Sequence, residues 1–69
     1  MSNVLINRIS DKIKKLRKEK GYTQAQLANV SSVSIAFIKK VETRQYNNPS
    51  VLTLDKIATA LEVDIKELF

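Results

Sequence analysis

Thr23-Gln24-Ala25-Gln26-Leu27-Ala28 and Val33-Ser34-Ile35-Ala36-Phe37-Ile38 are two short runs with the same local grammar. In the first, Thr23 and Gln26 stand in a capping-box relation. The Thr23 hydroxyl can accept the Gln26 backbone N–H while the Gln26 side chain reaches back to the Thr23 N–H. Tyr22 before the cap and Leu27 four residues after it form the matching hydrophobic staple. The second run repeats this with Ser34 as cap, bracketed by Val33 and Ile38. A third instance follows at Asp64, bracketed by Val63 and Leu68, with Glu67 completing a second box. Helix starts at 24, 35 and 65 follow from these caps alone.

Working outward, Ile6, Ile9, Ile13 and Leu16 fall three or four residues apart. They form one apolar stripe of an amphipathic helix, with Lys12, Lys14, Lys15 and Lys18 off it. Gly21 follows the basic end of that helix, where a left-handed residue is favoured. Asn47-Asn48-Pro49-Ser50 is a turn cluster, and Ser50 can cap a further helix carrying Leu54, Ile57, Ala58 and Leu61 at helical spacing. The predicted elements are five helices, at 6–20, 24–31, 35–43, 51–61 and 65–69, in one all-α domain over 1–69 with a short extension at 1–5. Only Ser32-Val33-Ser34 separates the second helix from the third. So tight a joint makes the two cross steeply, the helix-turn-helix unit, whose second helix can protrude into a DNA major groove.

Composition removes most other functions. The 69 residues contain neither Cys nor His, so disulfides, thiolate nucleophiles, the usual zinc sites and imidazole acid/base chemistry are absent together. The seven carboxylates show no paired arrangement, and no enzyme, metal or cofactor is expected. No apolar run approaches a membrane span, and MSNVLINRIS lacks the long apolar stretch of a signal peptide, so a cytoplasmic location is expected. Twelve Lys and Arg against seven Asp and Glu give a net charge of +5. The excess is graded along the chain: seven basic and two acidic groups in residues 1–20, three and one in 21–50, two and four in 51–69. One positive end results, able to steer the molecule toward a polyanion or to serve simply as a solvated face.

The runs already quoted, together with Val41-Glu42, Asn48-Pro49-Ser50, Ile57-Ala58, Ala60-Leu61, Val63-Asp64 and Glu67-Leu68-Phe69, resemble the Cro and phage-repressor type of helix-turn-helix domain, also called the xenobiotic-response-element family. The resemblance spans about Arg8 to Phe69 and rests on many positions at the family's spacing. It implies a compact five-helix bundle of the lambda-repressor-like type that binds a palindromic operator sequence-specifically as a homodimer, most often as a repressor. Two positions depart from the pattern. Ser32 and Arg44 stand where the family often has Gly, at sites that favour positive φ, so the turn and the helix exit are where the backbone can differ.

Helical angles place Ile35, Ala36, Lys39, Lys40 and Thr43 on one arc of the third helix. The resemblance implies base reading by Ile35, Ala36, Lys39 and Lys40. Lysine can donate to guanine O6 and N7, and small aliphatic groups can touch a thymine methyl. Without Arg, Asn or Gln on this arc, bidentate readout is missing, and thymine methyls and DNA shape are expected to carry much of the discrimination. Solvation or plain phosphate contact is the alternative for the two lysines, and core packing the alternative for Ile35. Thr23, Gln24 and Ser34 sit at helix N-termini, which attract phosphate. Capping alone also explains Thr23 and Ser34, whereas Gln24 has no capping duty. The resemblance implies further backbone contacts at Thr43, Arg44, Tyr46 and Asn47, around the exit of the third helix, with Tyr46 equally able to pack on the core. The resemblance further implies an internal ion pair between Arg17 and Glu42.

About four to six neutralised phosphates per monomer give a log–log salt slope of roughly −4 to −5, doubled for a dimer. The expected dimer surface is the fifth helix, through Ile65, Leu68 and Phe69, with recognition helices about 34 Å apart. The expected partners are double-stranded DNA and a second copy, with no membrane and no small-molecule effector domain. The alternative is an antitoxin-like protein-interaction module for which DNA binding is secondary.

Overall fold

A computed structural model describes residues 4–45 and 49–69. These form four α-helices and one 3₁₀ helix: α1 (Val4–Glu19), α2 (Gln24–Ser31), α3 (Ile35–Glu42), α4 (Val51–Ala60) and the 3₁₀ segment Ile65–Leu68. The capping residues act as their sequence context predicts. Gln26 N–H donates to Thr23 Oγ1 at 3.0 Å and Thr23 N–H to Gln26 Oε1 at 2.8 Å, a complete capping box. Ser34 and Ser50 each accept the N–H three residues on, from Phe37 and Thr53, both at 3.1 Å.

The fifth predicted helix is corrected by the structure. Asp64 accepts the N–H of Lys66 at 3.1 Å, one residue short of the box expected with Glu67. The backbone then closes through bonds three residues apart, Glu67 N–H to Asp64 O at 2.9 Å and Phe69 N–H to Lys66 O at 3.2 Å. A cap that engages the second N–H tightens the first turn, and so short a segment stays 3₁₀.

All four α-helices end the same way. The N–H groups of Tyr22, Val33, Gln45 and Val63 bond the carbonyls of Arg17, Ala28, Lys40 and Ala58, five residues back. The residue before each of these is left-handed: Gly21 (φ 78°), Ser32 (59°), Arg44 (63°) and Glu62 (61°). These are Schellman motifs, three of them built without glycine. The substitutions at Ser32 and Arg44 therefore leave the backbone path intact, and their consequence is energetic. Tyr22, Val33 and Val63, just past three of these exits, pack against the core.

The core gathers Ile9 and Ile13 of α1, Leu27 of α2, Ile38 and Val41 of α3, Leu54 and Ile57 of α4, then Leu61 and Leu68. α2 packs on α3 and α4, while the 3₁₀ segment closes the bundle against α4 and α1. This assigns the three residues expected at a dimer surface to different environments. Leu68 is fully buried and belongs to the monomer's own core, Ile65 is half-buried against it, and Phe69 is 43% exposed. Leu68 is thus a correction: its burial completes one subunit and leaves it nothing to offer a second.

Candidate nucleic-acid interface

α3 has two chemically distinct sides. Ile38 and Val41 are fully buried and Glu42 nearly so, whereas Ile35, Ala36, Lys39, Lys40 and Thr43 are exposed. Ile35 is a large aliphatic side chain left 41% exposed, turned away from the core rather than into it. Phe37 lies between the two sides, half-buried against the core.

The last turn of α3 is held from behind by α1. Ser10, fully buried, donates its hydroxyl to the carbonyl oxygen of Val41. Arg17 meets Glu42 through two bonds, Nε to Oε2 at 2.7 Å and Nη2 to Oε1 at 3.1 Å, and its Nη1 donates to the Tyr22 carbonyl at 2.7 Å. The side chains of the pair are 11% and 1% exposed. Charges so far removed from water are stable only when paired and hydrogen-bonded, and this carboxylate is satisfied on both oxygens.

Gln24 joins the same network. Its Nε2 donates to Glu42 Oε1 at 3.1 Å, so the side chain expected at a phosphate also ties the start of α2 to the end of α3. No local motif could have revealed this, because the two residues are 18 apart in sequence and meet only when α2 and α3 are packed.

The other predicted backbone contacts sort by what their donors already do. Thr23 and Ser34 accept the N–H groups of their own helices. Accepting uses oxygen lone pairs and leaves each hydroxyl hydrogen to be donated outward. Thr43 differs: its hydroxyl donates to the Lys39 carbonyl at 2.8 Å and approaches that of Lys40 at 3.2 Å, so its one donor is already occupied. Arg44 pairs with Asp11 of α1, Nη2 to Oδ1 at 2.7 Å. Tyr46 and Asn47 lie outside the described residues.

Just beyond α1, Lys20 pairs with Glu62, and this contact holds the Glu62 carboxyl below its ordinary value of 4.5. Among the described residues no cluster of acidic side chains is arranged to hold a metal ion, and no helix is long and apolar enough to cross a membrane.

The model of the HTH_3 helix-turn-helix family matches residues 13–68. The chain is 46% identical over 57 residues to the HTH-type transcriptional regulator SlrR of Bacillus subtilis, an alignment covering 83% of this chain and 38% of that protein. It thus spans well under half the length of this relative. Among solved structures, the restriction-modification controller protein C.AhdI of Aeromonas hydrophila superposes with a TM-score of 0.87 at 33% identity, covering 93% of this chain and 96% of that one. The biofilm master regulator SinR, solved in complex with DNA, gives 0.84 at 35%, covering 87% and 95%. With sequence, helix order and the α2–α3 joint in agreement, the chain belongs to the HTH_3 family of helix-turn-helix proteins.

Proposed function

We propose that this protein is a sequence-specific double-stranded-DNA-binding transcriptional regulator of repressor type, which sets α3 into the major groove of a palindromic operator as a homodimer. The exposed side of α3 carries this reading. Ile35, Ala36, Lys39 and Lys40 form an apolar and basic surface on a helix whose other side is locked into the core, and none of the four is buried within the monomer. In this reading Lys39 and Lys40 donate to guanine edges, Ile35 and Ala36 meet thymine methyls, and Thr23, Gln24, Ser34 and Arg44 hold the backbone. Gln24 does so while one N–H stays on Glu42. Thr43 contributes only if its hydroxyl leaves the Lys39 carbonyl. Names of relatives lend support, since SlrR is a transcriptional regulator and SinR is a regulator solved with DNA.

A single module of this size buries too little surface for tight binding at physiological salt, which favours two copies on successive major-groove turns. Phe69 and the outer side of Ile65 supply the apolar surface we assign to pairing. That surface lies in the part of the chain, residues 51–69, where four acidic groups outnumber two basic ones.

Selection from random duplexes tests the reading, followed by titrations of Lys39→Ala and Lys40→Ala against selected and scrambled DNA at several salt concentrations. Each substitution is expected to weaken the selected site preferentially. An equal loss on both duplexes reassigns the lysines to phosphate, and failure to retain any duplex at low salt removes the proposal. Co-purification of a stoichiometric protein partner, with indifference to DNA, would favour the interaction-module alternative.

A further inference from the structure

Asp11 is the only acidic side chain between residues 4 and 18, a stretch that also holds Arg8, Lys12, Lys14, Lys15, Arg17 and Lys18. A lone carboxylate there works against attraction to a polyanion. The structure gives it one specific partner, Arg44, across 33 residues of sequence.

Arg44 itself is held by its backbone. It is the left-handed residue that ends α3, at φ 63°, with its N–H on the Val41 carbonyl at 3.3 Å and the following Gln45 N–H on Lys40 at 2.8 Å. Its guanidinium spends only Nη2 on Asp11. Among the described residues Nε and Nη1 have no other acceptor, and the side chain is 49% exposed. A guanidinium carries five N–H donors in a rigid fork, so one prong on a carboxylate leaves the remainder available to a second anion.

We propose that Asp11 is a positioning residue: it pre-orients the Arg44 guanidinium at the exit of α3 so that the unused edge of the fork meets a DNA backbone phosphate. The inference rests on the duplex-binding reading above. Its physical basis is that an arginine immobilised before encounter loses less rotamer freedom on binding than a solvated one. Plain electrostatics makes the opposite forecast, since removing a negative charge beside DNA strengthens binding whatever Arg44 does. The two are separated by asking how much Arg44 is worth with and without Asp11.

The measurement is fluorescence-anisotropy titration of a selected duplex with wild type, Asp11→Asn, Arg44→Gln and the double variant, with circular dichroism showing each folded at the assay temperature. In the wild type, Arg44→Gln is expected to weaken binding about 3- to 10-fold and to reduce the magnitude of the salt slope by about one. In the Asp11→Asn background the same substitution is expected to cost less than about half that factor. Asp11→Glu, which keeps the carboxylate, is expected to restore most of the Arg44 contribution. An equal cost in both backgrounds overturns the proposal by showing that the residues act independently. A larger cost without Asp11 overturns it too, by showing that the carboxylate competes with phosphate for the arginine. If the wild type retains no duplex, the functional reading falls and takes this inference with it, whereas the preceding two outcomes leave that reading standing.

Discussion

Replacing Glu42 by Ala tests the polar junction beneath the recognition helix. Glu42 is 3% exposed and accepts three hydrogen bonds, two from Arg17 and one from Gln24. Its removal leaves an Arg17 side chain that is 11% exposed with only the Tyr22 carbonyl as partner. Breaking a buried pair from one side costs about 3–5 kcal/mol, because the remaining charge stays desolvated without compensation. At about 0.05–0.15 kcal/mol per residue a domain of this length has only about 3–10 kcal/mol to lose. Glu42→Ala is therefore expected to lose from about a third to all of the domain's stability, with Tm lowered by about 4–8 °C per kcal/mol. Arg17→Met with Glu42→Leu removes both charges and fills similar volume, so the double variant is expected to recover at least about 2 kcal/mol relative to the sum of the single losses. Urea denaturation followed by far-ultraviolet circular dichroism measures the wild type, Glu42→Ala, Arg17→Met, Glu42→Leu and the double variant. A loss below about 1 kcal/mol for Glu42→Ala, the range of an exposed pair, would refute the argument, as would strict additivity in the double variant. DNA binding adds a second criterion. Glu42→Ala is expected to bind in proportion to its folded fraction, and a fully folded protein that no longer binds would make Glu42 a reader instead of a support.

Three further outcomes follow from the geometry. Ser32→Gly relieves a left-handed residue worth about 1–2 kcal/mol, offset by about 0.4–1 kcal/mol of added freedom in the unfolded chain, so a net gain of about 0.5–1 kcal/mol is expected in urea denaturation, and a loss would mean that the Ser32 side chain supports the turn. Leu68→Ala is expected to destabilise the monomer by about 2–5 kcal/mol through a core cavity, whereas Phe69→Ser should leave monomer stability within about 0.5 kcal/mol and weaken self-association in sedimentation equilibrium; the reverse pattern would place Leu68 at the subunit contact. The Glu62 carboxyl, held below 4.5 by Lys20, contributes stability that is complete above that pH and declines as the pH falls through its lowered value. The Tm difference between wild type and Glu62→Gln is accordingly expected to be greatest above pH 4.5 and to vanish in stronger acid, and a difference independent of pH would dissociate it from this carboxyl.

What the sequence could announce was local. Thr23, Ser34 and Ser50 cap because a cap needs only a hydroxyl and the next three residues, and four of the helices begin and end within two residues of where periodicity puts them. The arc of α3 that carries Ile35, Ala36, Lys39 and Lys40 follows from helical geometry once the helix exists, and the exposure of those side chains agrees with it. One misreading was also local in origin: Asp64 and Glu67 have the letters of a capping box, yet the backbone tightens into a 3₁₀ turn. The left-handed exit at Glu62 carries no glycine to announce it.

Spacing and side-chain chemistry by themselves thus determined the helices, their starts, the short α2–α3 joint and the outward side of the third helix, because each depends on neighbours within a few residues. Only the tertiary structure decided that Gln24 shares Glu42 with Arg17, that Asp11 holds Arg44, and that Leu68 closes the core. Such meetings depend on how rigid helices pack once apolar stripes are buried, and residues 18 or 33 positions apart leave no periodic trace of being neighbours.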